Sequence, residues 1–482
     1  MSSRYQLTIV GTRFPHLALG VLLAKKGRKV LIVDTLTGKP DQDNGPSSGY
    51  RFRKRPVPLF GLDGHGFLRR FLDELGIGRM LVNKTYPPNP VSYQVILPRH
   101  RINVHPEREK LFAELAREFP GRIDPLRQLY GEWDGIASQW HTGLDNLQAL
   151  EKGWLHLRGL PRYLGNFSRI QKFKGLLQGV GPGPETDFFA LQNFFLGAHF
   201  PGAFPPPLSS ALVQSIGRRG TSRETTGTFG LRSLLIQRFQ EYGGQVISGV
   251  GVTGIETTSR NELDLFLGDG SSATTRTLAT TEGIAAGIPE IPPRKHPRIP
   301  RDHSPLYPLR FYIGLDKRFI PEGMEDDLFL MREDEGGPLG LRFLYLALSP
   351  VGSEAAPEGK RALTVTALTS KQVFQSLSPE MIKTVTDDLL QSLESVIPFL
   401  PEGLDHVSSD LKPGNEHQTP RPVGSGITAW SPGIMSRLRI RTALGGRIAV
   451  LSPTPLELGI EGEALTAITA AGILGKIIGK EI

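Results

Sequence analysis

The chain has 482 residues, a formal net charge of +8, 39% hydrophobic and 22% charged residues, and no cysteine. That length exceeds what one simple core organises, so two or three domains are expected. The missing cysteines exclude disulfides, thiolate metal sites and a cysteine nucleophile, and no uninterrupted apolar run reaches the roughly 18–20 residues of a membrane-spanning helix.

The elements begin at once. Leu7-Thr8-Ile9-Val10 reads as a buried strand running into a turn at Gly11, and the stretch through Leu17, Leu19, Leu22 and Leu23 as an amphipathic helix. Val30-Leu31-Ile32-Val33 is a second strand, ending in Asp34. With no positive-then-apolar leader ahead of the first strand, a cytoplasmic protein is expected, any membrane contact being peripheral. The three elements make a βαβ unit whose acidic residue follows the glycine turn by roughly 20 positions, where a nucleotide's ribose hydroxyls are accepted. The glycine pattern of such a unit is G-x-G-x-x-G, yet Arg13 and His16 fill the second and third places. The second glycine lets the backbone approach a pyrophosphate and the third lets helix and strand pack closely. Both functions are expected to be obstructed.

A Gly-, Pro-, Ser- and Asp-rich loop (37–48) leads to the basic residues Arg51, Arg53, Lys54 and Arg55. Phe67 to Leu75 reads as a short helix closed by Gly76, Tyr93–Leu97 with Arg101–His105 as a hairpin, and Glu107–Phe119 as a helix. Between 121 and 214 the chain carries Trp133, Trp140 and Trp154, and Phe188, Phe189, Phe194, Phe195, Phe200 and Phe204 crowd one segment. Two readings stand for these rings: the core of a helical domain, or an apolar-ligand tunnel or membrane-facing cap. Leu231–Tyr242 reads as a helix, with strands at Gln245–Ile247, Val252–Glu256 and Leu263–Leu267. A Pro- and Arg-rich loop (289–308) marks a second crossing between domains. Leu309–Gly314, Leu341–Leu348 and Ala362–Leu368 then read as strands, Pro379–Ile397 as a helix, Ile448–Leu451 as a strand and Glu463–Ile478 as an apolar helix.

Other chemistry finds little support. The eleven histidines are scattered without metal-site spacing, and neither a Walker loop nor a G-x-S-x-G elbow at a strand-to-helix turn is present. Asp326-Asp327 and Asp387-Asp388 read as helix or loop surface. The basic clusters at 51–55, 158–174 and 294–301 read as solvated loops or as contacts for an anionic partner such as a lipid surface, phosphate or acidic protein. No nucleic-acid reader is recognisable.

Four segments carry a resemblance: Leu7 to Asp34, the Tyr93–His105 hairpin with the helix ending Glu118-Phe119-Pro120-Gly121, Gly227 to Glu256, and Gly446 to Ile478. On these the chain resembles the phytoene desaturase branch of the FAD-dependent amine-oxidase superfamily. The resemblance implies an α/β fold. A Rossmann-like FAD/NAD(P)-binding domain of the GR2 type would be discontinuous over 1–106, 215–295 and 430–482. An α+β substrate-type domain with a mixed sheet and a helical cap would cover 107–214 and 296–429. In that family the last strand ends in a Gly-Asp pair touching the flavin's pyrophosphate and ribityl chain. Here Leu451-Ser452 stand in those places, and Pro453, Pro455, Leu456, Glu457 and Leu458 replace small residues, while Gly459 and Gly462 remain. The family's glycine-rich flavin contact falls on Tyr50–Leu59, which is bulky here.

The resemblance therefore implies a non-catalytic relative that has lost FAD, expected to hold no cofactor and no metal, with no catalytic residue assigned. It would bind an apolar isoprenoid- or lipid-like ligand or a protein partner, through Phe188, Phe189, Phe194, Phe195, Phe200, Phe204, Arg53, Lys54 and Arg55. The Rab GDP-dissociation inhibitors, similar in fold and without flavin chemistry, supply the parallel. The alternative is an FAD-dependent oxidoreductase or desaturase of an apolar substrate. A nucleotide would then be held by Gly11, Arg13, Asp34, Arg51, Ser452 and Gly459, with Arg13 and Arg51 over the phosphates and Asp34 on the ribose. A third reading is a structural subunit paired with a catalytic paralogue.

Overall fold

The opening βαβ unit forms as its pattern requires. In the computed structural model, which describes residues 3–34, 49–53, 58–62, 66–78, 82, 86–145, 183–197, 207–222, 230–258, 262–281, 285, 306–411, 440–451 and 458–479, strand β1 (Ser3–Val10) runs into helix α1 (Phe14–Lys25), and β2 (Val30–Asp34) returns parallel to β1. Leu7 faces Val30 and Val10 faces Val33. Pro15 sits in the first turn of α1, where its missing amide costs little.

The later helices are α2 (Gly66–Glu74), α3 (Arg108–Glu118), α4 (Ile123–Asp145), α5 (Pro184–Gly197), α6 (Pro207–Arg219) and α7 (Gly230–Glu241). After them come α8 (Lys371–Gln375), α9 (Pro379–Leu393), α10 (Leu400–Gly403) and α11 (Gly459–Ile478). The strands after β2 are β3 (Tyr93–Leu97), β4 (His100–Val104), β5 (Gln245–Ser248), β6 (Val252–Thr257), β7 (Leu263–Leu267) and β8 (Ser272–Thr280). Then follow β9 (Leu306–Asp316), β10 (Asp327–Met331), β11 (Phe343–Leu348), β12 (Lys360–Ser370), β13 (Leu404–Ser409), β14 (Arg441–Ala443) and β15 (Ile448–Val450).

Two sheets organise these elements. The first runs β14-β15-β8-β1-β2-β5, with β6 and β7 attached through β8. Its central members β15, β8, β1, β2 and β5 are parallel. Parallel strands are covered on both faces and read as continuous apolar runs, which β2 illustrates with all five residues buried. Helix α1 is buried from Pro15 through Ala24 because it lies against the sheet and also against α7 and α11. Gly20 makes this possible: a Cβ there would fall 2.8 Å from Ile32 Cδ1 and 3.3 Å from the Phe239 ring. Close packing of α1 on β2, expected to suffer from His16 in the fingerprint, is thus secured one turn later.

The second sheet runs β13-β9-β12-β11-β10-β3-β4 and is antiparallel except where β10 meets β3. The β3–β4 hairpin joins this sheet and not that of the βαβ unit. All five residues of β3 are buried, so both of its edges need strand partners, and β4 and β10 supply them. Along β10 the side chains alternate. Phe329 and Met331 join an aromatic core shared with α3, α4, α5 and α6, while Leu328 and Leu330 join an aliphatic core under α9. Helix α9 starts where Ser378 accepts a hydrogen bond from the Met381 amide, with Pro379 behind it.

The expected α/β architecture with a second, mixed sheet is therefore present. Four strands, β8, β10, β13 and β14, were not legible: β8 is rich in threonine, β10 opens on the acidic pair read as surface, and β13 and β14 are short edge strands of mixed polarity.

Candidate functional site

The crevice at the carboxyl ends of the parallel strands is where open α/β sheets place ligands. Gly11 turns the chain there at φ 125°, a region that side chains rarely adopt, and its amide donates to Val33 O at 2.9 Å. A Cβ on Gly11 would lie 3.4 Å from the imidazole of His16, which is fully buried in the first turn of α1. The ring thus stands over the glycine where the fingerprint leaves open backbone.

Asp34 closes the same turn from the end of β2. It is 2% exposed. Thr12 Oγ1 donates to its Oδ1 at 2.8 Å and Arg232 Nη2 donates to its Oδ2 at 2.6 Å. Each carboxylate oxygen therefore has a protein donor, one hydroxyl and one guanidinium. Arg13, the residue that precedes α1, sends its guanidinium to Glu463 Oε1 on α11 at 3.5 Å.

The start of α11 is equally filled. Gly459 adopts φ 51°, and a Cβ on it would fall 2.6 Å from the ring of Phe60. Glu461 follows in the first turn, where the helix dipole favours a carboxylate. It is buried and receives a two-pronged grip from Arg219, with Nη1 to Oε2 at 3.0 Å and Nη2 to Oε1 at 2.8 Å. His141 Nδ1 on α4 stands 3.9 Å from the same carboxylate. Arg219 ends α6, so this pair joins α11, α6 and α4.

Of the expected nucleotide-binding residues, Gly11, Arg13 and Asp34 come together, and Gly459 opens the helix whose Glu463 meets Arg13. Arg51 does not join them. Its amide donates to Ala355 O at 2.8 Å and its guanidinium pairs with Glu354 at 3.5 Å, both in the turn between β11 and β12. The adjoining Tyr50 and Phe52 explain this. The Tyr50 hydroxyl donates to Asp405, and the Phe52 ring lies 5.0 Å from that of Tyr312, so the segment is pinned to the second sheet. Ser452 lies outside the described residues.

The expected contact surface is corrected by burial. Phe188, Phe189, Phe194 and Phe195 are core residues of α5. Phe195 stacks on Phe329 at 5.4 Å, and Phe189 meets Trp133 edge-on at 5.0 Å. The physical reason is coverage, since α5 lies between the second sheet and helices α4 and α6 and has apolar residues around most of its girth. Arg53 is likewise no free basic group, because its Nη1 donates to Asp327 Oδ1 at 3.1 Å. Phe200, Phe204, Lys54 and Arg55 lie outside the described residues.

Sequence reasoning missed several charged residues. Asp326 and Asp327, read as surface, are buried: Arg361 Nη2 donates to Asp326 at 2.5 Å, and the Tyr345 hydroxyl donates to Asp327 at 2.5 Å. Burial first, and the Asp327 charge second, push the Tyr345 phenol well above its usual range. Asp388 accepts a fork from the buried Arg332, at 2.8 and 3.1 Å. Arg232, Arg219 and Glu461 were also missed. A carboxylate in the first turn of an apolar helix was a signal for Glu461, whereas its partner sits over 200 positions away.

No protein-family model matches the chain, and no curated protein does. Solved structures share its fold at low identity. A putrescine oxidase triple mutant is 14% identical, each chain covering 100% of the other, with a TM-score of 0.60. Cyclohexylamine oxidase from Brevibacterium oxydans is 12% identical, with 99% of this chain and 100% of that one covered and a TM-score of 0.57. A Rab GDI from Plasmodium falciparum is 13% identical over 85% of this chain and 89% of its own, at 0.50. The chain therefore has the FAD/NAD(P)-binding, Rossmann-type fold found in amine oxidases and in a Rab GDI. No described helix is long and apolar enough to cross a membrane.

Proposed function

We propose that this protein keeps the shell of a flavin oxidoreductase without its redox chemistry and acts as a binding protein, for an apolar isoprenoid- or lipid-like ligand or for a protein partner. One observation carries the reading: the Asp34 carboxylate is held by Thr12 and Arg232 beneath a turn that the His16 ring covers. A dinucleotide in the fingerprint's pose needs helix amides approachable by its pyrophosphate and a carboxylate oxygen turned toward its ribose. The residues present do not fit that pose. Arg13 would have to leave Glu463 to serve a phosphate. The occurrence of the same fold in a Rab GDI supports a use of this shell outside the oxidases.

A second reading, an FAD-dependent oxidoreductase with a rebuilt cofactor site, is favoured by the amine oxidases that share the fold and by the retention of Gly11 and Asp34 in place. The visible absorption of the purified protein, followed by titration with FAD monitored through flavin fluorescence, separates the two. A colourless protein that leaves flavin emission unquenched is expected. Flavin in stoichiometric amount would overturn the binding-protein reading and establish the second. If the first holds, lipid extraction and partner capture identify what is bound.

A further inference from the structure

The position of Arg232 calls for an explanation that its helix does not supply. It lies in the first turn of α7, where the helix dipole disfavours a cation, and no acidic residue shares that turn. Its side chain is mostly buried and its guanidinium sits 2.6 Å from Asp34. Pairing with the Asp34 carboxylate offsets that cost. The start of α7 is also fixed by the Leu231 amide, which donates to the Tyr86 hydroxyl at 2.5 Å. On the other side of Asp34, its backbone carbonyl accepts from the Gly249 amide at 3.0 Å, beyond the end of β5. One residue thus meets the turn after β1, the start of α7 and the turn after β5.

We infer that Arg232 is an internal ligand of the Asp34 carboxylate, and that the chain Thr12–Asp34–Arg232 fastens α7 to the βαβ unit at the position where a bound ribose would be accepted. This strut rests on the preceding reading only in that no ribose competes for Asp34.

A double-mutant cycle on the full-length chain tests it. Removing one partner of a buried pair strands the other, so R232A lowers the thermal midpoint by roughly 5 °C. R232K loses less, because the ammonium keeps the charge but not the planar fork. The decisive result is the double variant D34N/R232A, which falls no further than R232A alone. If the two single losses simply add, or if R232A melts within about 1 °C of the parent, the strut is overturned. Should R232A fail to fold, the milder cycle of D34N, R232K and D34N/R232K decides by the same criterion. The parent preparation is scanned for flavin alongside. Flavin there would overturn the binding-protein reading, while the cycle still judges the strut on its own.

Discussion

The turn after β1 and the surroundings of α5 are both deeply buried, and different forces hold them. At the turn and along the neighbouring start of α11, charges meet opposite charges: buried Asp34 with Arg232, buried Glu461 with Arg219, half-buried Arg13 with Glu463. Around α5 the contacts are rings against rings, each touching several others: Phe195 with Phe194, Phe329 and Tyr345, Trp133 with Tyr130 and Phe189. The first kind of region is directional and fails when one atom loses its partner. The second is spread over many contacts and fails in proportion to the volume removed. A turn held by ion pairs is therefore easier to reshape by substitution than a core built of rings.

Three experiments sharpen or break that contrast. The largest effect is expected from Phe195→Ala, which removes a fully buried ring and should cost about 4 kcal/mol in chemical denaturation. A loss under about 1 kcal/mol would mean that the ring lines open space after all. Next comes Arg219→Ala, expected to cost about 3 kcal/mol because it takes the two-pronged donor from the buried Glu461. Here the kinds of region part company. The double variant Arg219→Met/Glu461→Leu should recover most of that loss, since a well-packed apolar pair is often as stable as the ion pair it replaces. No recovery would show that the pair is more than a structural clasp.

The smallest effect is a pH dependence confined to the ring-rich side. Burial pushes the phenols of Tyr93, Tyr130 and Tyr345 upward. A raised folded value means that the native state holds these protons more tightly than the unfolded chain, whose tyrosines titrate near about 10. Their contribution is intact below that pH and is lost as the pH climbs above it. Tyrosinate absorbance from these three should therefore appear together with unfolding. Reversible ionisation near pH ~10 with the near-ultraviolet dichroism unchanged would contradict a sealed aromatic core.

The sequence made the fold legible through periodicity and through two anchors, the βαβ unit at Leu7–Asp34 and the strand and helix at Ile448–Ile478. Apolar patterning is local, so most strands and helices could be read where they occur. The site was legible only in part, as a damaged fingerprint around Gly11, Arg13, His16 and Asp34. What replaced the missing glycines was hidden because Asp34 meets Arg232 across 198 positions, and Glu461 meets Arg219 across 242. No local pattern marks such partners. The phenylalanines of α5 left two readings open, because an aromatic helix looks the same in sequence whether its rings line a pocket or fill a core. Gly20 carried a quieter signal, a glycine inside an otherwise strong helix, which marks a close approach of backbone.

The order of strands has a consequence for how the molecule is made. β1 and β2 leave the ribosome ahead of the other strands of both sheets, but the chain then contributes β3 and β4 to the other sheet, returns for β5 to β8, departs again for β9 to β13, and comes back with β14 and β15. Helix α1 packs on α11, which is translated long after it. At ordinary rates of synthesis the apolar flank of α1 stands without that cover for on the order of tens of seconds. Nascent chains of this protein should therefore engage chaperones through α1, and the arrival of α11 should be the event that releases them.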